Sequence, residues 1–371
     1  MGEFAKRGVG GLLYTHMTLS QKKIGLLLVG SPVTRPDEHV SEEQLGEWFQ
    51  SLTGVDVLAS VHPQIINTLP GVELSFQQWQ QVARVVASAY QGMDGFVVVH
   101  APDNLIRGMQ LIALMLGNVA KPVVFTTAPL NNEEEQKALQ TFRAFGGLFG
   151  GYFNLGLEAN IVNAIQFATI ASRGFSFVFG NTAFPSLLTH QVAGGEAQIF
   201  DTIGKEYSGI VDLGISTSII KPAAEKTAPD LKTELETNIE VLDVVDITAA
   251  LARWKTTRFP KGVIVKLENS GNLSDAIKQR LRTVAASGAV VLVFHAAGLV
   301  GATQGVAASA VPAATAGTAV EHAGEPWLYV SRLPLETVQA KFMWALGQGG
   351  DRGAVRRRMT DNRSGELKEG A

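Results

Sequence analysis

No cysteine occurs in the 371 residues. That absence excludes disulfides, thiolate metal ligands and a cysteine nucleophile, and it fits a reducing, cytoplasmic setting. An excess of either charge is also missing. Lys and Arg total 31 against 34 Asp and Glu, a net charge of −3 with a pI near 6.2, so no electrostatic footprint for a nucleic-acid partner is present. The familiar local signatures of catalysis are lacking as well. There is no H-E-x-x-H zinc spacing, and seven scattered histidines without cysteine do not make a structural metal site. There is no Walker A pattern, no G-x-S-x-G elbow and no G-x-G-x-x-G after the first strand-like run. Gly30 does follow that run, but Pro32 and Pro36 stand where a dinucleotide site would open a helix with glycines.

Charge is absent altogether between Gly288 and Val320, a stretch long enough to span a bilayer. Gly298, Gly301, Gly305, Pro312 and Gly317 interrupt it, so the expectation is a buried strand over 290–294, a glycine-rich loop and a small-residue helix, with no membrane partner. The first 17 residues contain no signal-peptide core of useful length and read as a leader segment ahead of Met17.

What is present describes a globular α/β protein. Hydrophobic residues make up 46% and charged ones 18%, and the length exceeds what one hydrophobic core usually serves, so two domains are expected. Strand-like runs at 24–29, 55–61, 95–100, 123–127 and 175–179 alternate with helix-like segments at 41–52, 76–90, 105–116 and 157–172. The second helix carries Trp79, Val82, Ala83, Val86 and Tyr90 at helical spacing. Nearly continuous apolar strands alternating with helices indicate a parallel sheet covered on both faces. Residues 216–237 are polar, charged and contain two prolines, as suits a linker. The alternation then resumes with strands at 239–245, 262–267 and 289–294, helices at 247–254 and 274–287, and closing helices at 335–346 and 352–359. The expected layout is a leader over 1–17, a larger N-terminal domain over 18–215, a linker over 216–237 and a smaller α/β domain over 238–371. No internal repeat is evident. Residues 131–151, acidic at the start and then rich in glycine and phenylalanine, read as an insertion, either folded back on the domain or used for self-association.

The stretch D-G-F-V-V-V-H-A-P-D-N-L, Asp94 to Leu105, delivers His100, Pro102 and Asp103 to a strand end, where ligands bind in parallel sheets. From spacing alone Asp103 is more readily the N-cap of the helix that starts near Leu105.

The order of these segments resembles the bacterial-type L-asparaginases, especially the cytoplasmic type I branch with its archaeal amidotransferase-subunit relatives. The matching stretches are K-K-I-G-L-L-L-V-G-S-P-V, where the family has a strand and G-G-T-I, and D-G-F-V-V-V-H-A-P-D-N-L, where it has D-G-F-V-V-x-H-G-T-D-T-M. L-I-A-L-M-L-G-N-V-A-K-P-V-V-F-T, G-V-I-V-K-L-E-N-S-G-N and the C-terminal M-T-D-N-R-S-G-E-L extend the resemblance from Lys22 to Leu367, apart from the insertion. It implies a two-domain asparaginase-like α/β fold, a homodimer or homotetramer, and hydrolysis of asparagine by a threonine nucleophile aided by a second threonine, an aspartate and a lysine. No metal or organic cofactor is implied.

Carried over by position, that chemistry fails. The nucleophile falls on Pro32 and the second threonine on Pro102, while Asp103 is retained. The lysine position falls on His190 after Thr189, and the substrate-carboxylate segment on Gly71, Val72 and Glu73, with Trp79 as anchor. The family-aligned pocket is therefore Gly30, Pro32, Gly71, Val72, Glu73, His100, Pro102, Asp103, Thr189 and His190. Proline offers neither a nucleophile nor an N–H. The expectation is a catalytically inactive homologue that binds a small amino-acid-like ligand or a partner, or self-assembles. The alternative is an active amidohydrolase that uses a displaced Ser31 or Thr34 with Asp103 and His190.

Overall fold

The computed structural model describes residues 21–30, 41–52, 55–69, 74–102, 104–127, 156–171, 173–191, 200–203, 207–211, 215–217, 228–267, 273–295, 319–321 and 324–366. The leader 1–17, the insertion 131–151 and the glycine-rich loop expected after 294 lie outside these residues, as do Ser31, Pro32, Thr34, Gly71, Val72, Glu73 and Asp103.

Strands β1 (Lys23–Val29), β2 (Ser60–Asn67), β3 (Gly95–His100), β4 (Pro122–Thr127), β5 (Gly174–Phe179), β6 (Thr182–Pro185), β9 (Gly209–Val211) and β10 (Ile215–Thr217) form an eight-stranded sheet of order β10-β9-β6-β5-β4-β3-β1-β2. β1 to β5 are parallel, and β6, β9 and β10 add an antiparallel edge. A separate hairpin pairs β7 (Thr189–Gln191) with β8 (Phe200–Thr202). The second sheet has β11 (Ile239–Asp243), β12 (Gly262–Leu267), β13 (Val290–His295), β15 (Trp327–Ser331) and β14 (Ala319–Glu321) in that spatial order, parallel except at β14.

The strand cores are apolar on both faces, which demands helices on each side. In the first sheet, α1 (Glu42–Ser51), α2 (Val55–Leu58) and α5 (Leu157–Ile170) cover one face. The other is covered by α3 (Phe76–Ala89) and α4 (Leu105–Leu116). In the second sheet, α6 (Ile247–Thr256) and α7 (Asp275–Ala286) lie on one side. The opposite side meets α8 (Leu335–Gly347) and α9 (Arg352–Thr360). One core runs from the first sheet through α3, α4 and α8 into Ile264, Leu292 and Leu328 of the second. This position between layers explains why Leu105 and Met109 to Leu116 of α4 are all buried.

The C-terminal segment closes this arrangement. Arg363 Nε donates to the Leu114 carbonyl at 3.0 Å and Ser364 Oγ to the Ala113 carbonyl at 2.8 Å, so the tail satisfies the last carbonyls of α4. The Arg363 guanidinium also pairs with Asp230 and lies 4.9 Å from the Trp344 ring. The extended residues 228–238 follow this seam: Lys232 N–H donates to the Met115 carbonyl at 2.8 Å and Glu236 N–H to the Met343 carbonyl at 2.9 Å.

One expected strand is corrected. Residues 55–61 split into the single helical turn α2 and the start of β2. The Ala59 N–H donates to the Val55 carbonyl at 3.2 Å, and Val55 and Ala59 are buried while Val57 is 76% exposed. The valines favour a strand, but burying positions i and i+4 together decides for a turn of helix. β2 then runs past Pro63, which is tolerated at the edge of the sheet, where no strand among the described residues lies outside β2. The strands between Thr182 and Thr217, and β14 and β15, carry no strong sequence period and lie outside the expected elements.

Candidate functional site

The sheet topology itself locates a crevice. From β1 the chain places β2 on one side and β3 on the other, so the direction of strand addition reverses between β1 and β3. Ligands of open α/β sheets bind outside the carboxyl ends of the strands at such a switch point. Here those ends are Val29–Gly30 and His100.

Four register partners line up across this edge: Asn67 of β2, Val29 of β1, His100 of β3 and Thr127 of β4. His100 is fully buried, and its Nδ1 lies 2.6 Å from the Val29 carbonyl oxygen. A carbonyl only accepts, so Nδ1 carries the proton. The His100 ring meets Trp79 of α3 edge-on, at 4.8 Å between centroids and 86° between planes. Trp79 in turn lies against Gly108, where an added Cβ would fall 2.4 Å from the indole ring. α4 thus accepts a glycine in its interior, against helix propensity, to seat the tryptophan that fixes His100.

Gly30 has φ +75°, and a Cβ there would lie 2.7 Å from the Leu69 carbonyl oxygen. Both conditions require glycine at this turn. Its N–H donates to the Asn67 carbonyl at 3.1 Å, while Asn67 Oδ1 accepts the Leu69 N–H at 3.2 Å. Pro102, half-buried, lies in the turn after β3, and its carbonyl accepts the Leu105 N–H at 3.3 Å. The N-cap of α4 is Asn104, in the left-handed region at φ 61°, and not Asp103.

Thr189 and His190 belong to a second group. They lie on the β7–β8 hairpin, which α4 holds through Gln110: its Nε2 donates to the Thr189 carbonyl at 3.3 Å. Thr189 Oγ1 is spent on the Pro185 carbonyl at 2.7 Å. His190 Nδ1 is buried with no hydrogen-bond partner. Gly30 and His100 therefore come together at the switch point with Pro102 in the following turn, whereas Thr189 and His190 reach α4 from the hairpin.

Sequence reading missed Asn67, Gln110 and Thr127. Asn67 Nδ2, Gln110 Oε1 and Thr127 Oγ1 are buried polar atoms without partners. Strand register brings out Asn67 and Thr127, and the contact of α4 with the β7–β8 hairpin brings out Gln110; none lies in a recognisable motif. Asn160 of α5 is structural: its Nδ2 donates to the Thr127 carbonyl at 2.7 Å and its Oδ1 accepts the Gly180 N–H at 3.0 Å. Among the described residues no group of three His, Asp or Glu could hold a metal ion, and no helix is long and apolar enough to cross a membrane.

A doubly wound sheet with its switch-point crevice at Gly30 and His100, joined through a shared core to a smaller parallel sheet, defines an α/β protein of the asparaginase fold. L-asparaginase I from Vibrio cholerae superposes with a TM-score of 0.70 at 15% identity, over 94% of this chain and 100% of the other. The thermostable L-asparaginase from Thermococcus kodakarensis does so with a TM-score of 0.68 at 18% identity, again over 94% and 100%. Residues 30–138 match the family model "Asparaginase, N-terminal". Among curated proteins it is similar to the 60 kDa lysophospholipase of Mus musculus, 24% identical over 59% of this chain and 37% of that protein. It is also 32% identical to L-asparaginase 1 of Escherichia coli, over 15% of this chain and 16% of the other. The matches thus span well under half the length of these curated relatives.

Proposed function

We propose that this chain is an asparaginase-fold homologue that holds a small amino-acid-like ligand at the switch-point crevice and does not hydrolyse it. One observation carries the reading: Pro102 occupies the turn after β3, two residues beyond His100. The resemblance puts a threonine of the reaction there, and proline supplies neither a hydroxyl nor an N–H for a developing oxyanion. The only backbone hydrogen bond described for the residue, from Leu105 to its carbonyl, serves the start of α4. With Pro32 in the place of the other threonine, a covalent route has no nucleophile, and positioning alone remains. Asp103 supplies a carboxylate suited to the ligand's ammonium group.

Cytoplasmic residence and assembly as a homodimer or homotetramer complete the reading, which includes no metal or organic cofactor. The lysophospholipase relatives are named for cleavage of an ester, a reaction that also calls for an activated nucleophile or water, so the test covers both bonds. Ammonia release from asparagine and glutamine, and acyl release from a lysophospholipid, are measured beside a Pro32→Thr/Pro102→Thr double variant. The expected native result is no release above the buffer rate, with a thermal shift on adding amino acids. Native turnover at ordinary enzyme rates overturns the reading.

One observation favours a second reading, the unpartnered Nδ1 of His190, an imidazole nitrogen that could serve as a base for a displaced Ser31 or Thr34 assisted by Asp103. Turnover in the native chain that disappears in His190→Gln would support it.

A further inference from the structure

We propose that Thr127 is a specificity-determining residue of the crevice, its hydroxyl binding a neutral hydrogen-bonding group of the ligand, an amide or hydroxyl, in preference to a charged one. The inference rests on the ligand-binding reading above and names a residue that the resemblance did not.

Strand alternation fixes where Thr127 stands. Val123 and Phe125 pack into the core under α3 and α4, whereas Val124 packs on the α5 side. Thr126 shares the α5 side and donates from Oγ1 to the Val178 carbonyl at 2.8 Å. Thr127 therefore shares the α3/α4 face with its register partner His100. It is fully buried, and its Oγ1 has no hydrogen-bond partner. The backbone is not the reason, because the Thr127 carbonyl is already held by Asn160.

Two adjacent threonines with opposite outcomes define the anomaly. Thr126 is satisfied by the fold, and Thr127 is left over at the strand end that borders the crevice. A buried hydroxyl without a partner is rare and unfavourable, and valine would occupy nearly the same volume without that cost. A partner that comes and goes accounts for its presence. At the far end of the same row, Asn67 Nδ2 is a second buried donor without a partner. Among the described residues of this row, Asn67, Val29 and Thr127 carry no charge and His100 Nδ1 is already engaged by the Val29 carbonyl, so a neutral group is the better match.

Thermal-shift titrations with L-asparagine, L-glutamine and L-aspartate test this on the native chain and on Thr127→Val, Thr127→Ala and Thr127→Ser. In the native chain the amide-bearing probes should bind more tightly than aspartate. Thr127→Val should melt at or above the native temperature without ligand and bind the amide probes about tenfold more weakly. Thr127→Ser should bind as the native chain does, and Thr127→Ala should lose the same affinity as Thr127→Val. Native-like binding by Thr127→Val and Thr127→Ala overturns this inference and leaves the ligand reading intact. So does a lowered melting temperature of Thr127→Val with its affinity unchanged, the mark of a structural hydroxyl or an ordered water. Failure of every amino acid to shift the native chain overturns both.

Discussion

His100 donates from Nδ1 to the carbonyl of Val29 at 2.6 Å, across the two strands between which the sheet reverses its direction of growth. The bond joins the ends of β1 and β3 where they border the crevice, and it sets the imidazole tautomer. His100→Ala removes a buried hydrogen bond and opens a void beside Trp79. The expected loss is about 2–4 kcal/mol of stability. Urea denaturation should show it as a lower midpoint with an unchanged slope, and a midpoint like that of the native chain would contradict it.

Gly108 reaches the same site from the opposite direction. A methyl group there collides with the Trp79 ring that backs His100. Although alanine is the better helix former, Gly108→Ala should destabilise by about 1–3 kcal/mol through overpacking. A rise in melting temperature would show that the indole moves away at no cost.

The Lys341–Glu366 ion pair, 2.7 Å long, is buried completely on both sides. Lys341 Nζ also donates to the Asp361 carbonyl, and Glu366 accepts the N–H groups of Arg363 and Ser364, so the pair anchors the tail that caps α4. Lys341→Met should cost about 3–5 kcal/mol, because Glu366 is left as an uncompensated buried charge. Lys341→Met/Glu366→Gln should recover much of that loss. A double-mutant cycle measures the coupling, and additive losses would count against it.

Acid should lower the stability of the chain over two pH ranges. Burial pulls the His295 imidazole below its ordinary value. The unfolded chain therefore takes up that proton first, and stability falls as pH drops below about 6.5. The Arg363 side-chain hydrogen bond, with help from Lys232, holds Asp230 below the usual carboxylate range, and Lys261 does the same for Glu236. For these groups the folded value is depressed, so their contribution is complete above the unfolded carboxylate range and is lost as pH falls through the folded values, below about pH 4. His295→Asn should flatten the first stage of a stability-versus-pH curve and leave the second. At the alkaline end, desolvation pushes Tyr329 up to about 12. The unfolded chain loses that proton first, so stability declines between about pH 10 and 12, and Tyr329→Phe should reduce this decline, the remainder belonging to Tyr90, which burial also raises.

Much of the fold is legible without coordinates, for a physical reason that differs between elements. β1, β3, β4 and α4 agree closely with their expected bounds because their apolar runs and periods are local properties of the chain. The segment 55–61 misled because β-branched residues announce a strand, whereas the burial of Val55 and Ala59 against the sheet and α5 is a tertiary fact. The strands between Thr182 and Thr217 are only 3 or 4 residues long, too short for a period to show, even though β6 turns straight back on β5 and β10 on β9. At the site, the sequence brought Gly30, His100 and Pro102 to attention through their places at strand ends. It could not reveal Asn67, Gln110 or Thr127, whose significance lies in what surrounds them.

By itself, then, the sequence determined the alternation of strands and helices, the glycine at the first strand's turn and the absence of a side-chain hydroxyl at position 102. These depend on local period and covalent structure, which no folding alters. Only the tertiary structure decided which strand ends lie side by side, which threonine is satisfied and which is left over, and how Arg363 and Ser364 come to cap a helix some 250 residues upstream. Strand register and burial arise from contacts between residues far apart in the chain, and those contacts exist only once the chain has folded.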